Sequence, residues 1–124
     1  MNTYLFYIGI DVFKDSFDVA VFTSTAEPSF NLGKFSNDNH GINQFQKQLK
    51  AKAITTHNAI FCIEATGAYS ELLCYQLHKL NYQVCLEAPL KVKRVFAIKR
   101  HKTDPIDAVQ IAEYAFRYCD RMIR

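Results

Sequence analysis

Four cysteines and four histidines are all that this 124-residue sequence offers toward a zinc site of thiolates and imidazoles, and neither set has ligand spacing. No two of Cys62, Cys74, Cys85 and Cys119 form a C-x-x-C pair, and no pair of histidines among His40, His57, His78 and His101 completes a zinc pattern. Cys62 and Cys85 lie inside apolar runs and are expected as small core hydrophobes. No apolar stretch approaches the roughly 20 residues of a membrane span. Met1 leads straight into a strand pattern with no secretory leader before it, so a cytoplasmic protein without a disulfide framework is expected. There is no P-loop, no dinucleotide-binding glycine pattern and no serine on a nucleophile elbow. Glycine-serine linkers, internal repeats and low-complexity segments are also missing, and residues 1–124 are expected to form a single domain.

Hydrophobic residues make up 49% of the chain, enough for a substantial core. Residues 4–11 are apolar almost without a break, as a central strand covered on both faces requires. After the short connection 12–15, residues 16–23 alternate, with Phe17, Val19 and Val21 on one face and Asp18 and Ala20 on the other. So short a link implies an antiparallel hairpin. Ser29 to Phe35 supplies a third strand. The capping types Asn37-Asp38-Asn39 precede Ile42, Phe45 and Leu49 at helical spacing. Ala59 to Glu64 is a short buried strand, and because a helix precedes it, it can lie parallel to the first. Thr66-Gly67 turns the chain sharply into a helix on which Tyr69, Leu72, Leu73, Leu77 and Leu80 are expected to face inward. Asn81 ends that helix, and Tyr82 to Glu87 forms a fifth strand. A basic segment follows, with Val92, Val95 and Phe96 as its apolar side. A last helix from about Pro105 to Tyr118 carries the stripe Ala108, Ile111, Ala112, Ala115 and Cys119. The order is β-β-β-α-β-α-β-α-α, an α/β fold built on a mixed sheet.

Four acids stand where an apolar segment stops or a helix starts: Asp11, Glu64, Asp104 and Asp107. With the first strand central and the fourth its parallel neighbour, Asp11 and Glu64 end on one edge of the sheet, where ligands of α/β sheets tend to bind. Asp104 and Asp107 extend the buried stripe of the last helix toward its start and so point at that edge. Carboxylates converging from several elements suit magnesium or manganese, hard cations that prefer oxygen, and a pair of such ions can activate an attacking oxygen and stabilise a leaving one. Structural roles compete. Asp104 suits a helix N-cap ahead of Pro105, Asp107 suits a capping box, and Asp11 can bond to its own turn. An acid ending a buried run, as Glu64 does, has to be satisfied by something. Asp15 falls in an exposed turn, and Asp18 is assigned a solvated or structural role. Tyr69 is placed near the pocket, with core packing the favoured role. Lys102 and Thr103 flank the acids and are in reach of a phosphate.

The net charge is only +3, yet Lys91, Lys93, Arg94, Lys99, Arg100 and Lys102 crowd a stretch that holds no acid. A solvated helix face would also look this way, but such clustering suits a polyanion, and nucleic acid is the expected partner. Binding there should weaken steeply with salt.

At these same residues the chain resembles the amino-terminal domain of the DEDD-type transposases of insertion sequence 110 and the related pilin-gene-inverting recombinases. The matching blocks are Tyr7-Ile8-Gly9-Ile10-Asp11-Val12 with Lys14, Asp18-Val19-Ala20-Val21, Glu64-Ala65-Thr66-Gly67-Ala68-Tyr69, Ala88-Pro89 with Val92-Lys93, Lys102-Thr103-Asp104-Pro105-Ile106-Asp107-Ala108, and Ile111-Ala112-Glu113-Tyr114-Ala115. They occur in the family's order over almost the whole chain. The resemblance implies a ribonuclease H-like (RuvC-like) five-stranded sheet with flanking helices. It implies that Asp11, Glu64, Asp104 and Asp107 are the family's four acids and bind Mg2+ or Mn2+. It also implies action on DNA during transposition or inversion, homo-oligomers of the full-length protein and, in some members, a structured guide RNA. Residue 13 departs from the pattern: Phe13 stands where the family usually has a small residue. Family members also carry a carboxy-terminal domain with an attacking serine, which this sequence does not include, so residues 1–124 are expected to be a catalytic domain cut from a longer protein.

Rival expectations are a stand-alone nuclease of the Holliday-junction type on the same fold, an inactive nucleic-acid-binding remnant, and half of an actin-like kinase. The last wants Gly, Ser or Thr after the first Asp, and Val12-Phe13 does not supply it.

Overall fold

A computed structural model describes residues 4–23, 30–64, 67–87 and 108–118. Five strands form one mixed sheet: β1 (Phe6–Val12), β2 (Ser16–Thr23), β3 (Phe30–Ser36), β4 (Ala59–Glu64) and β5 (Gln83–Glu87). Their spatial order is β3-β2-β1-β4-β5. The pairs β1–β2 and β2–β3 are antiparallel, whereas β1–β4 and β4–β5 are parallel. The helices are α1 (Asn39–Ala51), α2 (Glu71–Lys79, entered through a 3-10 turn at Gly67–Ser70) and α3 (Ala108–Tyr118). This is the mixed five-stranded, helix-flanked α/β sheet of the ribonuclease H-like (RuvC-like) fold. The expected basic helix between β5 and α3 lies outside the described residues, as do positions 105–107 of the last helix.

The period-2 pattern explains the layering. On one face Ile8, Ile10, Val12, Phe17, Val19, Val21, Phe61 and Ile63 meet Ile42, Phe45 and Leu49 of α1 and Leu73 and Leu77 of α2. Aromatic rings run through this layer: Phe17 packs on Phe35 and Phe45, Phe45 on Phe61, and Phe61 on Tyr82. On the other face Tyr7, Ile60, Cys62 and Cys85 meet Ile111, Tyr114 and Ala115 of α3. Cys62 and Cys85 are indeed core residues, fully buried and side by side in the β4–β5 register. β1 and β4 are therefore buried on both faces, which is why they read as continuous apolar runs.

Gly9 sets how closely α3 sits. A Cβ built there would overlap the backbone of Ala108 and Ala112, so the helix rests directly on the β1 backbone. Ala108 and Ala112 also pack on Ala20 of the neighbouring strand. Small residues on both sides let helix and sheet approach to backbone contact.

Two helix ends use the same device. After α2, Asn81 adopts φ 69°, its N–H donates to the His78 carbonyl, and the Tyr82 N–H donates to the Leu77 carbonyl. After α1, Ala53 adopts φ 59°, its N–H donates to the Lys50 carbonyl, and the Ile54 N–H donates to the Leu49 carbonyl. Both are Schellman endings, which satisfy the last helical carbonyls. At the other end of α1, the Asp38 carboxylate accepts from the Gly41 N–H at 2.8 Å and from the Ser36 hydroxyl at 2.8 Å. Those bonds to its charged form hold Asp38 below the usual carboxylate range.

The inward face expected for the second helix is only partly realised. Leu73 and Leu77 are fully buried, but Tyr69 is 50% exposed and Leu80 39% exposed. Tyr69 lies in the 3-10 turn, where about three residues complete a turn instead of about 3.6, so its phase does not carry over to α2. Leu80 is the C-cap, past the last helical residue.

Candidate active site

The carboxylate end of the sheet follows from strand register. Asp11 lies directly opposite Asp18 across the antiparallel β1–β2 pair. On the other side, the parallel β1–β4 register runs to Ile10↔Ile63, and the next residue on each strand is Asp11 and Glu64. Glu64 is register-paired with Glu87 on β5, and Asp18 with Lys34 on β3. A single transverse line across all five strands is thus Lys34, Asp18, Asp11, Glu64, Glu87. Strand alternation puts Asp11, Asp18 and Glu64 on the α3 face, with Ala20, Cys62 and Cys85.

Their surroundings differ. Glu64 is buried at 7% exposure, Asp11 is partly buried, and the Asp18 side chain is 38% exposed. Two carboxylates directly opposite each other in a sheet repel. Lys34 offsets this, with its ammonium 3.4 Å from Asp18 Oδ1. Beside the pair opens a cavity of about 370 Å³, lined among the described residues by Asp18, Asn31 and Gly33 from the sheet and by Ala108 and Val109 from the start of α3. The β2–β3 register shifts between Val19 and Ala20, and Gly33 there takes φ 138°, a conformation that side chains resist.

Of the four expected acids, Asp11 and Glu64 come together at one sheet edge. Asp104 and Asp107 lie outside the described residues, as do Lys91, Lys93, Arg94, Lys99, Arg100 and Lys102. Among the described residues no group of three His, Cys, Asp or Glu side chains is gathered as a metal cluster. The donors that are gathered, Asp11 and Glu64, are carboxylates on adjacent parallel strands, which is the ligand type a hard divalent cation takes. No described helix is long and apolar enough to cross a membrane.

Asp18, expected in a solvated or structural role, is 38% exposed and ion-paired with Lys34, and the hairpin joined by residues 13–15 folds it onto position 11. Sequence reasoning missed Asn37. Asn37 is a local surprise. Its side-chain amide donates to the Phe13 carbonyl at 2.9 Å, the Tyr69 carbonyl at 2.9 Å and the Lys14 carbonyl at 3.4 Å, and its backbone N–H donates to the Asp15 carbonyl at 3.0 Å. One residue so ties the turn after Asp11 to the turn after Glu64. Three long-range acceptors of this kind leave no trace in a linear pattern.

Comparison with known proteins bears on these same segments. The family model for the DEDD transposase of insertion sequence 110, described as a transposase, matches residues 8–122. The chain is 32% identical over 111 residues to the pilin gene-inverting protein of Moraxella lacunata, covering 87% of this chain and 33% of that protein. It is 31% identical over 111 residues to the pilin gene-inverting protein of Moraxella bovis, again covering 87% and 33%. It is 30% identical over 106 residues to the transposase for insertion sequence element IS1533 of Leptospira borgpetersenii, covering 86% and 29%. The chain spans about a third of the length of these curated relatives. A match that runs from inside β1 through α3, over strands whose ends carry the acids, has one plain reading: the chain belongs to the DEDD transposase family of insertion sequence 110.

Proposed function

We propose that this chain is the single RuvC-like catalytic domain of a DNA recombinase, acting on DNA phosphodiesters during transposition or inversion in the cytoplasm. The observation that carries the reading is the placement of Asp11 and Glu64 one step past the last register pair of adjacent parallel strands, with Glu64 buried. Asp11 and Glu64 would hold Mg2+ or Mn2+, and Asp104 and Asp107 would complete the ligand set. Asp107 precedes Ala108 by one peptide bond, and Ala108 lines the cavity beside Asp18. A divalent cation held by these residues would supply electrostatic stabilisation of charge on phosphate oxygens.

The chain's own residues do the rest. Glu64, buried at 7% exposure, would be a ligand held largely out of bulk water. Asp11, flanked by Asp18 and Glu64, sits in a line of negative charge that favours a cation over any neutral ligand. The basic segment from Lys91 to Lys102 would hold the nucleic-acid backbone, and a structured guide RNA and self-association of the full-length protein fit the same reading.

The test is a pair of substitutions in the full-length protein. Asp11→Ala and Asp104→Ala should each abolish recombination, while circular dichroism and the thermal midpoint of the domain remain those of a folded protein. Recombination that survives either change defeats the catalytic assignment, and loss of folding would make these acids structural.

A further inference from the structure

The register pairing of β1 with β4 stops one step short of the acids. It runs to Ile10↔Ile63, and Asp11 and Glu64 follow. Each acid is register-paired on its far side instead, Asp11 with Asp18 on β2 and Glu64 with Glu87 on β5. The seam between these two halves of the sheet thus ends where neighbouring strands, about 4.8 Å apart, each present a carboxylate on the same face. Like charges so placed repel and push the strand ends apart.

Past the acids, one side chain rejoins the two halves. Asn37 Nδ2 donates 2.9 Å bonds to the Phe13 carbonyl, two residues beyond Asp11, and to the Tyr69 carbonyl, five residues beyond Glu64. A longer bond of 3.4 Å reaches the Lys14 carbonyl, and the Asn37 backbone N–H donates to the Asp15 carbonyl at 3.0 Å. Every acceptor is main chain, so the tie sets where the backbone lies on each side of the seam. Asn37 Oδ1 is buried without a hydrogen-bond partner among the described residues, so the side chain acts wholly as a donor. The residue is itself anchored. It stands between Ser36, the end of β3, and Asp38, the N-cap of α1. The Asp38 carboxylate joins the Ser36 hydroxyl to the Gly41 N–H, and a Cβ at Gly41 would overlap the Ser36 carbonyl, so strand end and helix start are in contact around Asn37.

We propose that Asn37 is a positioning residue for the divalent-cation site: by holding the turn after Asp11 to the turn after Glu64, it keeps the two carboxylates at a fixed separation and so sets the affinity for the cation. This rests on the recombinase reading above and adds to it what governs metal uptake. Asn37 acts through the main chain and touches neither the cation nor the substrate. Two ligands already held at their spacing bind an ion without first drawing repelling strand ends together, and partners that orient metal ligands in this way tune affinity strongly.

The test measures manganese uptake by the full-length protein, read from the fall in the electron paramagnetic resonance signal of the free ion, beside the manganese concentration that half-saturates recombination. Asn37→Ala should raise both concentrations about tenfold. Recombination at saturating manganese should return toward the parent's rate, because the acids themselves are intact. Asn37→Asp, equal in size, separates positioning from charge. A carboxylate added near the acids would by attraction alone tighten manganese binding, whereas one facing three carbonyls drives the turns apart and should weaken it. Asn37→Ser, with one hydroxyl donor on a shorter arm, should fall between parent and alanine, and it carries the comparison if the alanine variant does not fold. An unchanged manganese requirement in the folded variants overturns the proposal, and so does tighter binding by Asn37→Asp. A lowered thermal midpoint with manganese uptake unaltered would make Asn37 a structural tie alone and likewise overturn it. The two readings fail separately: a parent that takes up no manganese, or uptake that survives Asp11→Ala, ends the cation site itself, while uptake that depends on Asp11 but not on Asn37 ends only this inference.

Discussion

Asp18 shows how one residue changes meaning once its neighbours are known. In the linear pattern it is a polar position alternating within a strand. In the hairpin it opposes Asp11, and Lys34 from the third strand meets it at 3.4 Å. The charge balance of the site thus depends on a lysine 23 positions from Asp11 in the chain. A double-mutant cycle measures it. Lys34→Met should lower the thermal midpoint, and the same change in an Asp18→Asn background should lower it less, since the repulsion Lys34 offsets is already gone. With both side chains substantially exposed, the coupling should be at most about 1 kcal/mol. A coupling of zero would show that solvent alone screens the opposed carboxylates.

At the scale of elements, the two Schellman endings differ in one informative way. Asparagine enters the left-handed region more readily than most residues, as Asn81 does here, whereas Ala53 carries a Cβ into the same region without that tendency. The ending is nevertheless kept, because Ile54 just beyond it is buried against Leu49 in the core. Ala53→Gly should therefore raise stability by about 1 kcal/mol, read as a shift in the urea midpoint without a change in slope. An unchanged or lowered midpoint would mean that the unfolded-state entropy of glycine outweighs the relief of strain. The strands were the most legible elements. Residues 16–23 and 59–64 carry their boundaries in the sequence, because alternation and an unbroken apolar run are both strong signals. The entry to α2 was not legible, since a 3-10 turn and an α-turn present almost the same residues to a periodicity argument.

Among the described residues the sheet is covered on both sides, and its two faces are covered differently. One side is an interdigitated layer of Phe17, Phe35, Phe45 and Phe61; the other is a backbone contact at Gly9, Ala108 and Ala112. The second arrangement has no slack. Gly9→Val should displace α3 and cost about 3 kcal/mol or more, because the added atoms meet main chain that cannot rotate away. Retention of the parent midpoint in thermal unfolding would show that α3 is free to lift from the sheet. The displacement would also move Ala108 and Val109, which line the cavity beside Asp18, so the site and this contact should fail together.

From the sequence alone came the strand count, the parallel placement of β4 beside β1, and hence the meeting of Asp11 and Glu64. These are consequences of local pattern and short connections, which a chain cannot hide. Tertiary structure alone decided that Lys34 joins Asp18, that Asn37 ties two distant turns together, and that Phe13 and Tyr69 stay open at the edge. Each of those depends on hydrogen bonds and charges between segments far apart in the chain, and such contacts obey geometry in space and leave no period along the sequence.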